Sequence, residues 1–125
     1  MSSSLTVRRI AADQGTTLRE LRTAALREAP YAFGQTLEEA LDENNETFEA
    51  VAARHAESDT STSFILYTEG YPAGLIGAYF DGARKAFVCA LWVAPAVRHL
   101  RGGELLVNTA SEWLAEHGAD EIHAW

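Results

Sequence analysis

An unbroken apolar run at residues 87–93 (FVCALWV) constrains the fold more than any other segment of this 125-residue chain. Seven consecutive apolar residues leave no polar face, which is typical of a strand covered by helices on both sides. Such a strand must belong to a sheet that has helices packed against it. The run therefore predicts a mixed α/β (α+β) fold with this strand in the middle of the sheet.

Weaker patterns predict the other strands. Residues 5–10 alternate apolar with polar, as a half-buried strand does. Residues 64–67 and 75–80 are β-rich, and the close turns that join them to the run at 87–93 predict an antiparallel meander. Residues 121–125 predict a last strand that follows a helix and lies parallel to its neighbour.

Capping signals predict where the helices begin. Thr17 with Glu20, and Thr36 with Glu39, each fit a capping box, in which the two side chains bind each other's backbone amides. The first helix should end near Pro30. Residues 37–57 predict one helical region with a possible break at 42–46, and apolar spacing after residue 103 predicts a further helix. The order is β-α-α-β-β-β-α-β, in one domain spanning residues 1–125.

Composition excludes several classes of protein. With 18 acidic and 10 basic residues the net charge is −8, which argues against a nucleic-acid partner because phosphate binding needs a basic surface. No apolar run is long enough to cross a membrane, and the first residues lack a signal peptide, so we expect a cytoplasmic protein. Cys89 is the lone cysteine, so neither an internal disulfide nor a zinc site is expected.

Charge is segregated along the chain. Residues 82–103 contain no acid but four bases: Arg84, Lys85, Arg98 and Arg101. Within this stretch, residues 98–103 join a buried strand to a helix, where free amides and the helix dipole attract phosphate. On these residues alone, a ligand-binding turn and an ordinary strand-to-helix turn are equally compatible. The turn matches neither the Walker loop nor the dinucleotide-binding fingerprint.

The order of two motifs carries a family resemblance. A strand ending in Val93-Ala94-Pro95 is followed by Arg98-His99-Leu100-Arg101-Gly102-Gly103 at the start of a helix. This resembles the V-x-P and R/Q-x-x-G-x-G/A motifs of the GCN5-related N-acetyltransferase (GNAT) family. Residues 21–34 (LRTAALREAPYAFG) and 74–80 (GLIGAYF) also resemble bacterial members, so the resemblance covers nearly all 125 residues.

The resemblance implies transfer of an acetyl group from acetyl-CoA to a primary amine of an unknown small molecule or peptide. Backbone amides of the turn would bind the pyrophosphate, and a bulged strand around residues 91–93 would pair with the pantetheine arm and polarise the thioester. The implied cofactor-binding residues are Leu91, Trp92, Val93, Arg98, His99, Leu100, Arg101, Gly102 and Gly103. Tyr31 and Phe33 would line the acceptor groove, with packing under their own loop as the alternative.

The sequence departs from the family pattern in two places. Arg101 stands where the motif has its first glycine, a position that would be costly if the turn needs a positive φ. The family's C-terminal helix and two further strands, with a tyrosine often used as general acid, do not follow residue 125. We therefore expect an exposed strand edge and an exposed apolar face at Trp113 or Leu114, and a homodimer or swapped oligomer.

No catalytic residue is identified from the sequence. Asp81 and Glu38 are weak candidates for a general base beside a water relay, and His99 either donates to phosphate or is simply exposed. His55 and His117 are expected at the edges of helical faces, and Cys89 as an inert buried thiol. The alternative function is a catalytically inactive, truncated GNAT remnant that acts as a CoA-binding or protein-interaction module. Binding of a nucleotide phosphate without acyl transfer is a third possibility.

Overall fold

The computed structural model describes residues 5–29 and 36–124. Along the chain lie β1 (Leu5–Arg9), α1 (Gly15–Glu28), α2 (Leu37–Asp42), α3 (Asn45–Glu57), β2 (Ser61–Thr68), β3 (Tyr71–Phe80), β4 (Ala86–Val93), a 3-10 helix (Pro95–Leu100), α4 (Gly102–Glu116) and β5 (Ile122–Ala124). This order confirms the mixed α/β prediction. The region predicted as one helix at 37–57 is divided into α2 and α3.

The sheet has five strands in the order β1-β2-β3-β4-β5. Strands β1 to β4 are antiparallel to their neighbours, and β5 lies parallel to β4, as the crossover helix predicts. The prediction that residues 87–93 form the middle strand is wrong, because β3 is in the middle and β4 is fourth. The expected cover on both faces is not observed either, since Ala86, Val88 and Val93 are buried while Leu91 is 44% exposed.

Helices cover both faces of the sheet. On one face α4 packs through Leu106, Ala110 and Leu114 against residues such as Ile76 and Val88. On the other face, α1 and α3 pack against the sheet through a second apolar cluster, which comprises Ile10, Leu18, Leu21, Phe48, Ala52, Ile65 and Leu75.

The expected exposed apolar face on α4 is not observed. Trp113 is 7% exposed and Leu114 is fully buried. Both side chains belong to the core between α4 and the sheet, and the Trp113 ring also contacts Phe80. The prediction is wrong because the apolar stripe of α4 packs onto strands β2 to β4, which cover both side chains.

Two of the helix starts test the capping predictions. The Thr36 hydroxyl accepts a hydrogen bond from the Glu39 amide, and the Thr36 amide donates to the Glu39 carboxylate, both at 3.0 Å, which confirms the second capping box. The first prediction is wrong, since α1 begins at Gly15 and its cap is Gln14. The Gln14 side chain accepts from the Ala11 amide and donates to the Tyr67 hydroxyl of β2, so a tertiary contact fixes this start.

Asn44 explains why the second helical region is divided. Its side-chain oxygen accepts a hydrogen bond from the Thr47 amide at 3.0 Å, which begins α3 anew after α2 ends at Asp42. Of the helices in the described ranges, none is both long enough and apolar enough to span a membrane.

Candidate functional site

Strand β4 contains a bulge that faces the ends of α1 and α3. Residues Ala90 and Leu91 of β4 stand opposite the single residue Ile76 of β3, and Ala90 has a φ of 55°. The bulge therefore lies at the start of the predicted segment 91–93. Beyond Val88, no described residue of β5 pairs with β4, because the last pair is Val88 with Ala124. Beyond that pair, the outer edge of β4 has no strand partner in the part of the chain that the structure describes.

The turn after β4 presents backbone donors. The 3-10 helix ends at Leu100, Arg101 adopts left-handed backbone with φ 64° and ψ 29°, and α4 begins at Gly102. No side chain caps this helix, and in the described ranges the amides of Gly102, Gly103 and Glu104 have no acceptor. Three free donors at the positive end of a helix form an arrangement that binds anions.

Arg101 occupies the position at which the family motif has its first glycine. Its left-handed conformation is the one that glycine adopts without cost, so the position does require a positive φ. The arginine is accommodated because its side chain is exposed and pairs with Glu104, with 3.3 Å between Nε and the carboxylate oxygen. The turn keeps its geometry with an arginine in the place of a glycine.

Arg98 joins the turn to the rest of the fold. Its Nε donates to the Val93 carbonyl at 2.8 Å, and its guanidinium forms an ion pair with Glu28 at the end of α1. Sequence reasoning missed Glu28 because residues 82–103 hold no acid and nothing local indicates that α1 ends beside them. The tertiary fold therefore adds one carboxylate to a turn that is purely basic in sequence.

A cleft of about 370 Å³ lies between the ends of α1 and β4 and the start of α4. Of the predicted cofactor-binding residues, five line it: Leu91, Trp92, Val93, Arg98 and Gly103. Four do not, namely His99, Leu100, Arg101 and Gly102; His99 and Arg101 are exposed, and Gly102 is buried under the helix start. Tyr31 and Phe33 lie outside the described residues.

A second, smaller cavity of about 170 Å³ reaches the bulge from the side of α1 and α3. It is lined by apolar side chains and by a group of polar ones that sequence reasoning did not bring together. The polar residues are Arg22, Glu43, Thr47, His55, Ser63 and Cys89. The apolar residues are Leu18, Phe48, Val51 and Leu75, with Gly77 and Ala90 of the sheet.

His55 and Ser63 form a pair in this cavity. The imidazole Nδ1 lies 2.8 Å from the Ser63 hydroxyl, and Ser63 is almost fully buried. Burial, together with the smaller effect of the nearby charges of Arg54 and Arg9, lowers the pKa of His55 to about 4. His55 is therefore neutral at physiological pH. No local pattern in the sequence indicates that His55 and Ser63 meet.

The other candidate residues are not arranged for catalysis. Burial raises the pKa of the Cys89 thiol, although Arg22 opposes the shift, so the thiol stays protonated. The Asp81 carboxylate accepts the amides of Ala83 and Lys85, both at 2.9 Å, and so stabilises the β3–β4 turn. Glu38 lies on the first turn of α2 and lines neither cavity.

Within residues 5–29 and 36–124, no three His, Cys, Asp or Glu side chains are grouped so as to hold a metal ion. The groups available at the two cavities are backbone amides, neutral imidazole, hydroxyl, thiol and guanidinium groups, with the carboxylates of Glu28 and Glu43.

Comparison with known proteins identifies the class. The model of the acetyltransferase (GNAT) family matches residues 18–125, so the chain belongs to the GNAT family. Among curated protein sequences, none matches significantly.

Solved structures show the same fold. One is an aminoglycoside N-acetyltransferase, AAC(6')-Iy, in complex with CoA, at 16% identity and a TM-score of 0.76, covering 100% of this chain and 78% of that one. A GNAT acetyltransferase from Streptococcus pneumoniae has 18% identity and a TM-score of 0.76, covering 92% and 69%. A GCN5-related N-acetyltransferase from Ralstonia eutropha has 18% identity and a TM-score of 0.74, covering 98% and 83%. At these identities the likeness is one of fold.

Proposed function

We propose that this protein transfers an acetyl group from acetyl-CoA to a primary amine of a small molecule or peptide. The observation that carries the proposal is the group of three unpartnered amides at Gly102, Gly103 and Glu104, which open α4 beside the cleft at the end of β4. Membership of the GNAT family supports the same reaction.

The start of α4 fits a diphosphate. The amides of Gly102 to Glu104 supply donors at the positive end of a 15-residue helix, where an anion is stabilised by the helix dipole. Arg98 and Arg101 place guanidinium groups on the same turn, paired with Glu28 and Glu104 respectively, and His99 is exposed there. Gly103 leaves room for close approach, because the nearest atom to a β-carbon there would be 3.8 Å away.

The unpaired edge of β4 fits the pantetheine arm. Residues 91–93 line the cleft, and the backbone beyond Val88 has no strand beside it among the described residues. A main-chain N–H at Leu91 or Trp92 would stabilise negative charge on the thioester oxygen. Removal of one such donor costs about 3 kcal/mol in other enzymes. The acceptor would approach from the opposite side of the bulge, where Tyr31 and Phe33 are proposed to line its groove.

Calorimetric titration with acetyl-CoA tests the proposal at the level of binding. The matched variants are Gly103→Asp, which introduces a carboxylate beside the free amides, and Asn108→Asp, which adds the same charge on an exposed turn of α4. We expect Gly103→Asp to weaken binding at least about tenfold and Asn108→Asp to leave it nearly unchanged. If the pantetheine arm contributes to the binding free energy, ADP should compete only weakly with acetyl-CoA.

Release of free thiol in the presence of an amine panel tests the reaction itself. Thiol release that depends on both acetyl-CoA and an amine supports the transferase. Binding of acetyl-CoA without release would instead support the catalytically inactive, CoA-binding alternative. No binding at millimolar ligand would overturn both readings and leave a protein-interaction module.

The assembly and the compartment of the protein remain part of the proposal. All three residues of β5 are exposed, and an exposed strand edge favours pairing with a second copy, so we propose a homodimer or swapped oligomer. A sedimentation run that shows only monomer at tens of micromolar would contradict it. We also propose that the protein acts in the cytoplasm, without a nucleic-acid or membrane partner.

A further inference from the structure

Two cavities adjoin on the α3 side of the sheet, and their chemistry differs. The inner cavity, of about 170 Å³, ends at the β4 bulge. The outer cavity, of about 320 Å³, lies between the end of α3 and strands β2 to β4. Three residues line both: His55, Gly77 and Cys89. A molecule that lies across Gly77 would therefore contact both cavities.

The inner cavity offers an acceptor for an amine. His55 is held through Nδ1 by Ser63 at 2.8 Å, which leaves its other ring nitrogen, Nε2, for a ligand, since within the described ranges the only hydrogen bond of the ring is the one at Nδ1. When Nδ1 carries the proton and donates to the Ser63 hydroxyl, Nε2 presents a lone pair. A neutral imidazole accepts a hydrogen bond from an ammonium group without repelling its charge.

The outer cavity offers a cation. Arg54 is exposed at its edge and, as far as the described residues go, has no ion-pair partner. No described carboxylate lines this cavity; its other residues are hydroxyl, aromatic or small. A guanidinium that lacks an acid beside it favours a carboxylate or another anion on the ligand and disfavours a second amine.

Space limits the end of the ligand that enters. An inner cavity of 170 Å³ is similar to the roughly 150 Å³ cavity that accommodates benzene in a well-studied case, so only a slender chain or one small ring fits. Gly77 keeps the passage open, because a β-carbon on that residue would lie 3.0 Å from the Cys89 sulfur.

We infer that the acceptor is a slender primary amine that carries a carboxylate at its other end, with the amine bound at His55 Nε2 and the carboxylate at Arg54. This inference rests on the proposed acetyl transfer and adds the class of the acceptor. Charged groups face His55 from several elements: Arg54 on α3, Arg9 on β1 and Arg22 on α1 are cationic. Glu43, in the α2–α3 connection, opposes the charge of Arg22 and supplies the carboxylate of the inner cavity, and Cys89 faces the cavity from β4. The amine then lies beside the bulge, on the side of β4 away from the α4 core.

A series of matched amines tests the inference. Linear amino acids from glycine to ε-aminocaproate are each compared with the alkylamine of the same length and with the corresponding diamine. For at least one length, we expect kcat/KM to be about tenfold higher for the amino acid than for the alkylamine, and lowest for the diamine. Equal rates for all three at every length would overturn the inference.

Variants locate the effect. Arg54→Gln should abolish the preference for the carboxylate, and Arg54→Glu should shift it towards the diamine. Arg27→Gln removes the same charge from the end of α1, where it lines neither cavity, and should retain the preference. His55→Ala should raise KM for the amine several-fold without changing KM for acetyl-CoA, and His55→Gln should recover part of the loss. A preference that survives Arg54→Gln contradicts the assignment.

Direct binding separates this inference from the proposed reaction. The ring protons of His55 are followed by NMR during titration with the preferred amino acid, in the absence of acetyl-CoA. A shift at His55 that Arg54→Gln weakens supports the acceptor site even if no thiol is released with any amine. Thiol release with alkylamines, together with no shift at His55 and no gain from a carboxylate, would leave the reaction intact and refute the acceptor class.

Discussion

Gly102 lies so close to Leu66 that a β-carbon on residue 102 would be 2.4 Å from Leu66 Cδ2. Leu66 is fully buried in the core, so its side chain can shift only by displacing the residues packed around it. We expect Gly102→Ala to lower the free energy of unfolding by about 1–3 kcal/mol through overpacking. Gly103→Ala is the control, since its β-carbon would meet nothing closer than 3.8 Å, and it should be neutral or slightly stabilising. Urea denaturation of both variants measures the difference, and equal midpoints would contradict it.

Arg101 offers a test of backbone conformation. At a φ of 64° a glycine is favoured over alanine, so we expect Arg101→Gly to be more stable than Arg101→Ala by about 1 kcal/mol. Both variants lose the exposed ion pair with Glu104, so the difference between their stabilities reflects the backbone conformation. At Asn108, in the middle of α4, the order should reverse, with alanine more stable than glycine by a similar amount. Thermal denaturation of the four variants decides it, and the same order at both positions would refute the left-handed turn.

Arg9 ties the end of α3 to the sheet. Its Nε–H is shared between the His55 carbonyl and the Thr62 hydroxyl, at 3.0 and 2.8 Å, and its guanidinium donates to the Ser58 carbonyl at 2.6 Å. We expect Arg9→Met to cost about 2 kcal/mol of unfolding free energy, because buried acceptors lose charged donors. Arg8→Met removes the neighbouring arginine from the exposed face of β1 and should cost much less. Chemical denaturation that finds the two variants equal would contradict this role.

His55 makes stability depend on pH. Its pKa is lowered in the folded protein from 6.5 to about 4, so as pH falls below 6.5 the unfolded chain binds a proton that the folded one does not. Protons therefore favour unfolding between pH 6.5 and about 4, and this contribution disappears above 6.5. We expect this effect to lower the free energy of unfolding by about 1 kcal/mol from pH 7 to pH 5, a value reduced to allow for partial solvent screening.

The comparison of His55→Gln with the unaltered protein checks that pH dependence. Melting temperatures from pH 7 to pH 5 should fall less steeply for the variant, by about four degrees over the range. His99→Gln changes a histidine on the exposed turn before α4 and serves as the control. If the slope of the unaltered protein persists in His55→Gln, the buried imidazole is not its source.

Local sequence patterns predicted most of the helices and strands, but they placed some of the boundaries wrongly. The capping box of Thr36 and Glu39 was predicted correctly because both of its hydrogen bonds join residues within four positions of each other. The start of α1 was missed because Gln14 is fixed by Tyr67, which lies far along the chain. The place of β4 in the sheet was missed for a related reason, since a run of apolar residues carries no information on strand order.

The sequence by itself determined the element types, the antiparallel meander, the parallel last strand and the glycine-bearing turn that opens α4, because each depends on periodicity or on contacts between near neighbours. Only the tertiary structure decided that Glu28 meets Arg98, that His55 meets Ser63, and that Trp113 and Leu114 are buried. These contacts join residues on different elements, and their energies depend on how helices are laid across the sheet. Packing in three dimensions sets that arrangement, and one strand or helix does not encode it alone.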